Sequence, residues 1–292
     1  MWIFLFHEQG SIQVHTIMKE GSWMGIERTD LWLDEYFHQP TQLIKEHIVS
    51  PVKEDAHKLY NYLRSFGMYS PNERTKEILA QLIEHDYWSK SNKILNQYRN
   101  RWNGPNVPVY IFPIHTNVKQ KMCGVSFKNK MFLFLSPLKD IKELEALIVH
   151  EYHHVCRLRY HQKTPRDYSV LDSMVMEGFA ELAVKNYCGE NYNAKWIHQY
   201  HESELEMFWE KYVKDHIYAT RTDKIHDALL FGKGFFPHLL GYSIGYWLIS
   251  KANEKQKFSI EESFNVTSDQ VLINSGKMNK SSLEKYNNNH AK

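Results

Sequence analysis

Apolar positions recur along this chain at two periods, and the changes between them mark out its elements. From Thr29 to Asn100 the pattern is helical: DLWLDEYFHQ, TQLIKEHIVSPVKEDAHKLYNYLRSFG, SPNERTKEILAQLIEHDYW and NKILNQYRNRW repeat at three- and four-residue steps. Pro51 interrupts the second run, and Gly67 with Ser70-Pro71 separates it from the third. After a break at 104–108 the period falls to two. VPVYIFPI (107–114) and VSFKNKMFLFLS (125–136) read as strands. The second is a hairpin turning at Lys128-Asn129-Lys130, with Met131, Leu133 and Leu135 on one face and Phe132 and Phe134 on the other. Residues 2–6 and 11–17 form a further candidate strand pair around Gln9-Gly10.

From residue 140 the helical period returns, with Ile141, Leu144, Leu147, Ile148, Val155 and Leu158 forming a stripe behind a capping box of Asp140 and Glu143. Thr164-Pro165-Arg166 ends that run, and DYSVLDSMVMEGFAELAVKNYCG (167–189) predicts a second helix closing at Cys188-Gly189. HESELEMFWEKYVKDH (201–216) predicts an amphipathic helix. Residues 229–249 are low in charge, but Lys233, Pro237, His238 and four glycines interrupt them, so they read as buried helix plus loop rather than a membrane span. The fold class is α+β and predominantly helical. A helical region at 1–104 precedes a functional region at 105–280, in which a small antiparallel sheet packs on a long helix, and a polar tail at 281–292 follows.

At 34.8 kDa and 42% hydrophobic residues the chain can bury a full core. A net charge of +2 without a basic stripe calls for neither nucleic acid nor an anionic membrane, leaving peptides, proteins or small molecules as partners. Cys123, Cys156 and Cys188 are widely spaced and lack C-x-x-C, which argues against a disulfide framework or thiolate zinc site. The opening MWIFLFHEQGSIQV lacks a basic leader and a small-residue cleavage site. A cytoplasmic location fits both observations.

The chemistry lies in the helix at 140–161, which contains His150-Glu151-Tyr152-His153-His154, an H-E-x-x-H match. Residues four apart share a helical face, so His150 and His154 can bind one metal ion, and Glu151 sits beside it where a base for water must be. His153 lies one residue off that face. A catalytic zinc takes three protein ligands and keeps one position open. The metzincin continuation fails because Arg157 and Tyr160 occupy the positions needing Gly and His, and the inverted H-x-x-E-H order is absent. A glutamate from a second helix about twenty residues on remains. Glu177 suits it, with Glu181 four residues later on the same face.

With these residues the sequence resembles the gluzincin metallopeptidases, in which H-E-x-x-H is completed by an E-G-F-A-type helix. More narrowly, it is similar to the YjaZ-like predicted zinc-dependent proteases. The resemblance runs over roughly residues 105–275 through GVSFKNKMFLFLS, HEYHH, MEGFAEL and GYSIGY. It implies a gluzincin-like fold and a Zn2+ cofactor held by His150, His154 and Glu177. It also implies hydrolysis of a peptide or protein substrate by a metal-activated water, with Glu151 as general base. Tyr242, Tyr246 and His238 are the candidate donors to the oxyanion, and Glu181 would orient a histidine N–H. Two departures stand out: 22 residues separate His154 from Glu177, more than in the best-known gluzincins, and Met176 replaces the Asn that often precedes the ligand. Glu181 is therefore the alternative ligand.

Other readings keep a metal without peptidase chemistry. One is a zinc-containing peptide-binding or regulatory module, against which Glu151 argues, since a structural site has no use for a base. Another is a helical diiron protein, which Glu35/His38 and Glu54/His57 would need to complete with further glutamates. The strand before the H-E-x-x-H helix could wall a cleft and pair with an extended peptide.

Overall fold

A computed structural model describes residues 25–49, 55–117, 119–161, 163–279 and 281. The candidate strands at 2–6 and 11–17, the interruption at Pro51 and nearly all of the 281–292 tail lie outside the described residues. By internal contacts the chain divides into two compact units, residues 1–156 and 157–292, and the division falls within one continuous helix.

In the first unit, α1 (Thr29–Tyr36), α2 (Pro40–His47), α3 (Ala56–Ser65), α4 (Glu73–Glu84) and α5 (Tyr87–Trp102) follow the predicted helical runs. Local capping sets several of their starts. Asp55 accepts from the His57 and Lys58 amides, and Asn72 and Thr75 form a reciprocal capping box. The sheet comprises β1 (Val109–Pro113), β2 (Met122–Phe127) and β3 (Lys130–Leu135), in the order β1-β3-β2.

The hairpin forms with Phe127 opposite Lys130, which puts Lys128 and Asn129 in the turn. The sheet as a whole is mixed rather than antiparallel, because β1 pairs parallel to β3, Val109 opposite Met131. Alternation predicts that a segment is a strand but carries no information on its direction relative to a partner. The central position of β3 explains why all six of its residues are buried. β2 lies at one end of the strand order, and among the described residues no further strand pairs with its outer edge.

Helix α6 (Ile141–Tyr160) begins where the Asp140 carboxylate accepts from the Lys142 amide at 2.9 Å. Its stripe of Leu144, Leu147, Ile148, Val155 and Leu158 is buried as expected, whereas Ile141 in the first turn is half exposed. In the first unit α5 packs on it: Trp102 stacks on Tyr152 at 5.7 Å, and the Tyr98 hydroxyl donates to Glu145 at 2.6 Å.

The second unit holds the end of α6 and α7 (Val170–Tyr187), α8 (Glu202–Phe208), α9 (Lys224–Phe231), α10 (Leu240–Lys255), α11 (Ile260–Asn265) and α12 (Ser268–Asn274). The amphipathic run at 201–216 is shorter as an α-helix than expected, passing into a π-turn at Trp209–Val213 and a 3-10 turn at Lys214–His216. Leu205, Trp209 and Val213 still face inward at four-residue spacing. Residues 229–249 resolve into the end of α9, a loop and the start of α10. Among the described residues no helix is long and apolar enough to cross a membrane.

Helices α7 and α10 are the core of this unit. Gly178 and Gly245 let their backbones touch, since a Cβ on Gly245 would lie 2.0 Å from the Met174 carbonyl oxygen and one on Gly178 would lie 2.5 Å from that of Gly245. The GYSIGY segment thus packs closely against the helix that carries Glu177.

Candidate metal centre

The interior of α6 carries His150, Glu151, His153, His154 and Arg157, each at most 2% exposed. Burying so many ionisable groups is costly unless each is paired or serves a purpose. Arg157 has its partners, donating to the carbonyl oxygens of Ser263 at 2.7 Å and Val266 at 2.9 Å and lying 5.2 Å from the Phe179 ring centre. Burial lowers its pKa to about 10. His153 sits edge-on to Trp102 at 6.3 Å.

His150 and His154 bring their Nε2 atoms to 3.0 Å, with rings nearly perpendicular at 87°. Two ligand atoms about 2.05 Å from a shared ion in tetrahedral geometry stand about 3.3 Å apart, so this spacing fits joint coordination. Together with Glu177, which is 1% exposed, they form a buried His-His-Glu group whose ligand atoms all lie within 4.8 Å of one another. Two neutral imidazoles and a carboxylate are the borderline-hard donor set that zinc takes in hydrolytic sites. Among the described residues no cysteine joins the group, and all three thiols are buried outside any disulfide.

Glu177 owes its place to the way α7 starts. Ser169 and Asp172 form a reciprocal capping box, and Asp172 also accepts from Lys163 Nζ and from the Ser268 hydroxyl, both at 2.6 Å. Burial alone would raise the Asp172 pKa, but the Lys163 charge and these hydrogen bonds outweigh it and hold it below the ordinary value. Glu181 has its Oε2 bound by the Asn193 side chain at 2.7 Å and by the Ala194 amide at 2.8 Å. These contacts fix the chain that leaves α7.

Glu151 is embraced by β2. The Ser126 hydroxyl donates to its Oε2 at 2.7 Å, and Gly124 faces it so closely that a Cβ there would lie 2.4 Å from Glu151 Cγ. The carboxyl group also raises the neighbouring Cys123 thiol, although burial is the larger cause of its pKa of about 11. Sequence reasoning passed over Gly124 and Ser126. The one available signal was two small residues, two positions apart, on one face of an otherwise bulky strand.

The three candidate oxyanion donors lie in the second unit. Tyr242 is fully buried, edge-on to Trp196 at 5.3 Å. Tyr246, one turn on, is 9% exposed, and burial raises its pKa. His238 is exposed on the loop before α10, its Nδ1 3.4 Å from Gln199 Oε1. Another chain of groups went unforeseen: Ser173 Oγ lies 3.1 Å from His226 Nε2, and His226 Nδ1 lies 3.0 Å from Asp227 Oδ1. Ser173 is only 2% exposed, inside α7, so this chain serves to seat α9 on α7.

Comparison with known proteins bears on the metal and not on the residues that hold it. Residues 87–273 match the family described as "Predicted Zn-dependent protease (DUF2268)". The chain is 30% identical over 261 residues to "Uncharacterized protein YjaZ" of Bacillus subtilis (strain 168), covering 85% of this chain and 98% of that protein. No solved structure gives a significant match.

Proposed function

Since the chain belongs to the predicted Zn-dependent protease family (DUF2268), we propose that it is a zinc peptidase of gluzincin type, with 105–280 as its catalytic region. His150, His154 and Glu177 hold the metal in this reading. The observation that carries it is their buried convergence within 4.8 Å, with Glu151 next in sequence to the first of them.

Zinc in such a site supplies Lewis acidity, making water a stronger acid and polarising a carbonyl oxygen. The protein's own groups do the rest. Glu151 takes a proton from the attacking water and passes it to the departing amine. Tyr242, Tyr246 or His238 donates to the oxyanion of the tetrahedral intermediate. The outer edge of β2, where no further strand pairs among the described residues, is where an extended peptide would add as a strand, which suits peptide or protein substrates. Glu181, bound to Asn193 and Ala194, holds the far end of the ligand-bearing turn of α7.

Metal content and peptide-library hydrolysis of the wild type, Glu151→Gln and His154→Ala test this. The expected result is one zinc in wild type and Glu151→Gln, chelator-sensitive cleavage in wild type alone, and zinc loss in His154→Ala. Zinc without cleavage in any form would favour the non-catalytic binding module, and undiminished cleavage by Glu151→Gln would remove Glu151 as base.

A further inference from the structure

Strand β2 presents Gly124 and Ser126 on one face, and both meet Glu151. The Ser126 hydroxyl lies 2.7 Å from Glu151 Oε2 and 2.8 Å from the Glu151 backbone carbonyl oxygen, with both residues 2% exposed. A hydroxyl has one proton, so it cannot donate in full to two acceptors at once. Which acceptor takes it depends on their relative strength. A carboxylate oxygen outcompetes an amide carbonyl oxygen, whereas the carbonyl oxygen of a protonated carboxyl group does not.

We propose that Ser126 is the positioning residue for the Glu151 base, anchoring Oε2 so that proton traffic runs through Oε1. This rests on the peptidase reading. With Glu151 ionised, the Ser126 O–H donates to Oε2 and fixes the carboxylate plane. The attacking water then bonds through its oxygen to the scissile carbonyl carbon and gives one proton to Glu151 Oε1. Oε2 becomes a neutral carbonyl oxygen, and the Ser126 proton is shared with the backbone carbonyl. As the C–N bond breaks, the proton on Oε1 goes to the amine nitrogen. Glu151 is again ionised, and the Ser126 proton returns to Oε2. Gly124 completes the arrangement by leaving the space that Glu151 Cγ, Cδ and Oε1 occupy. Ser126 acts throughout by way of Glu151 and needs no contact with substrate.

Ser126→Ala and Ser126→Thr in the zinc-loaded full chain test this. Loss of a hydrogen bond to a charged group predicts a fall in kcat of about tenfold to a hundredfold in Ser126→Ala. KM should stay within about twofold and zinc content near wild type, because neither substrate nor metal is touched, while the lost hydrogen bond should lower the melting temperature by only a few degrees. Ser126→Thr keeps the hydroxyl and should recover most of kcat. A kcat for Ser126→Ala within about twofold of wild type would overturn the proposal, as would a Thr variant that folds yet is no better than Ala. A wild type that binds zinc but cleaves nothing would instead sink the peptidase reading. The crystal structure of zinc-loaded Ser126→Ala then decides the anchoring: several Glu151 rotamers support it, and one unchanged rotamer refutes it.

Discussion

Gly124→Ala adds one methyl group to β2 and probes how tightly the base is held. The new Cβ would lie 2.4 Å from Glu151 Cγ and 2.5 Å from both Cδ and Oε1. Carbon atoms in contact settle near about 3.5 Å, so Glu151 must withdraw by about 1 Å. Cγ is close to the helix backbone and has little freedom to swing away. A displacement of that size at a reacting group costs about a hundredfold in rate. Overpacking a close-packed core costs about 1–3 kcal/mol of stability besides. The assay is kcat/KM on the best peptide from the library, with zinc content and thermal melting measured on the same preparation. Zinc should be retained, because the overlap falls on Glu151 and the ligands lie on another face of the helix. A variant that is fully zinc-loaded and within about threefold of wild type would refute the reasoning, since β2 would then yield without moving the base.

Further predictions concern the scaffold. Gly245→Ala sets a Cβ 2.0 Å from the Met174 carbonyl oxygen, a backbone atom that cannot rotate away, so α7 and α10 must separate. Lower melting temperature and weaker zinc affinity are both expected, because Glu177 rides on α7; normal affinity in a destabilised protein would show that the ligand does not depend on this crossing. Acid should destabilise the second unit through His161, whose pKa is lowered to about 4, chiefly by burial and next by the Arg157 charge. Because the folded state favours neutral His161, its contribution is complete above the ordinary value of 6.5 and is lost as pH falls towards about 4. Asp172, held below its ordinary value of 3.8, adds a further loss below that. In denaturant titrations of the metal-free protein, His161→Gln should flatten the slope between these limits relative to wild type, and parallel curves would exclude His161 as a source.

The sequence by itself determined the helices, the hairpin and the H-E-x-x-H face, because each follows from local spacing. His150 and His154 are one turn apart on any helix, and Lys128-Asn129 between alternating runs makes a turn whatever surrounds it. What spacing could not supply was the direction of β1, since a parallel strand and an antiparallel one alternate alike. Nor could it supply the partners of Glu151. Ser126 and Gly124 stand 25 and 27 residues before it, and only the packing of β2 on α6 turns two small residues into a seat for a carboxyl group. The same holds for Gly178 and Gly245, ordinary helix interruptions in sequence, whose purpose is the backbone contact between α7 and α10. Local periodicity selects elements because it depends on one backbone geometry. Site geometry depends on side chains from distant segments meeting at ångström distances, which tertiary packing alone decides.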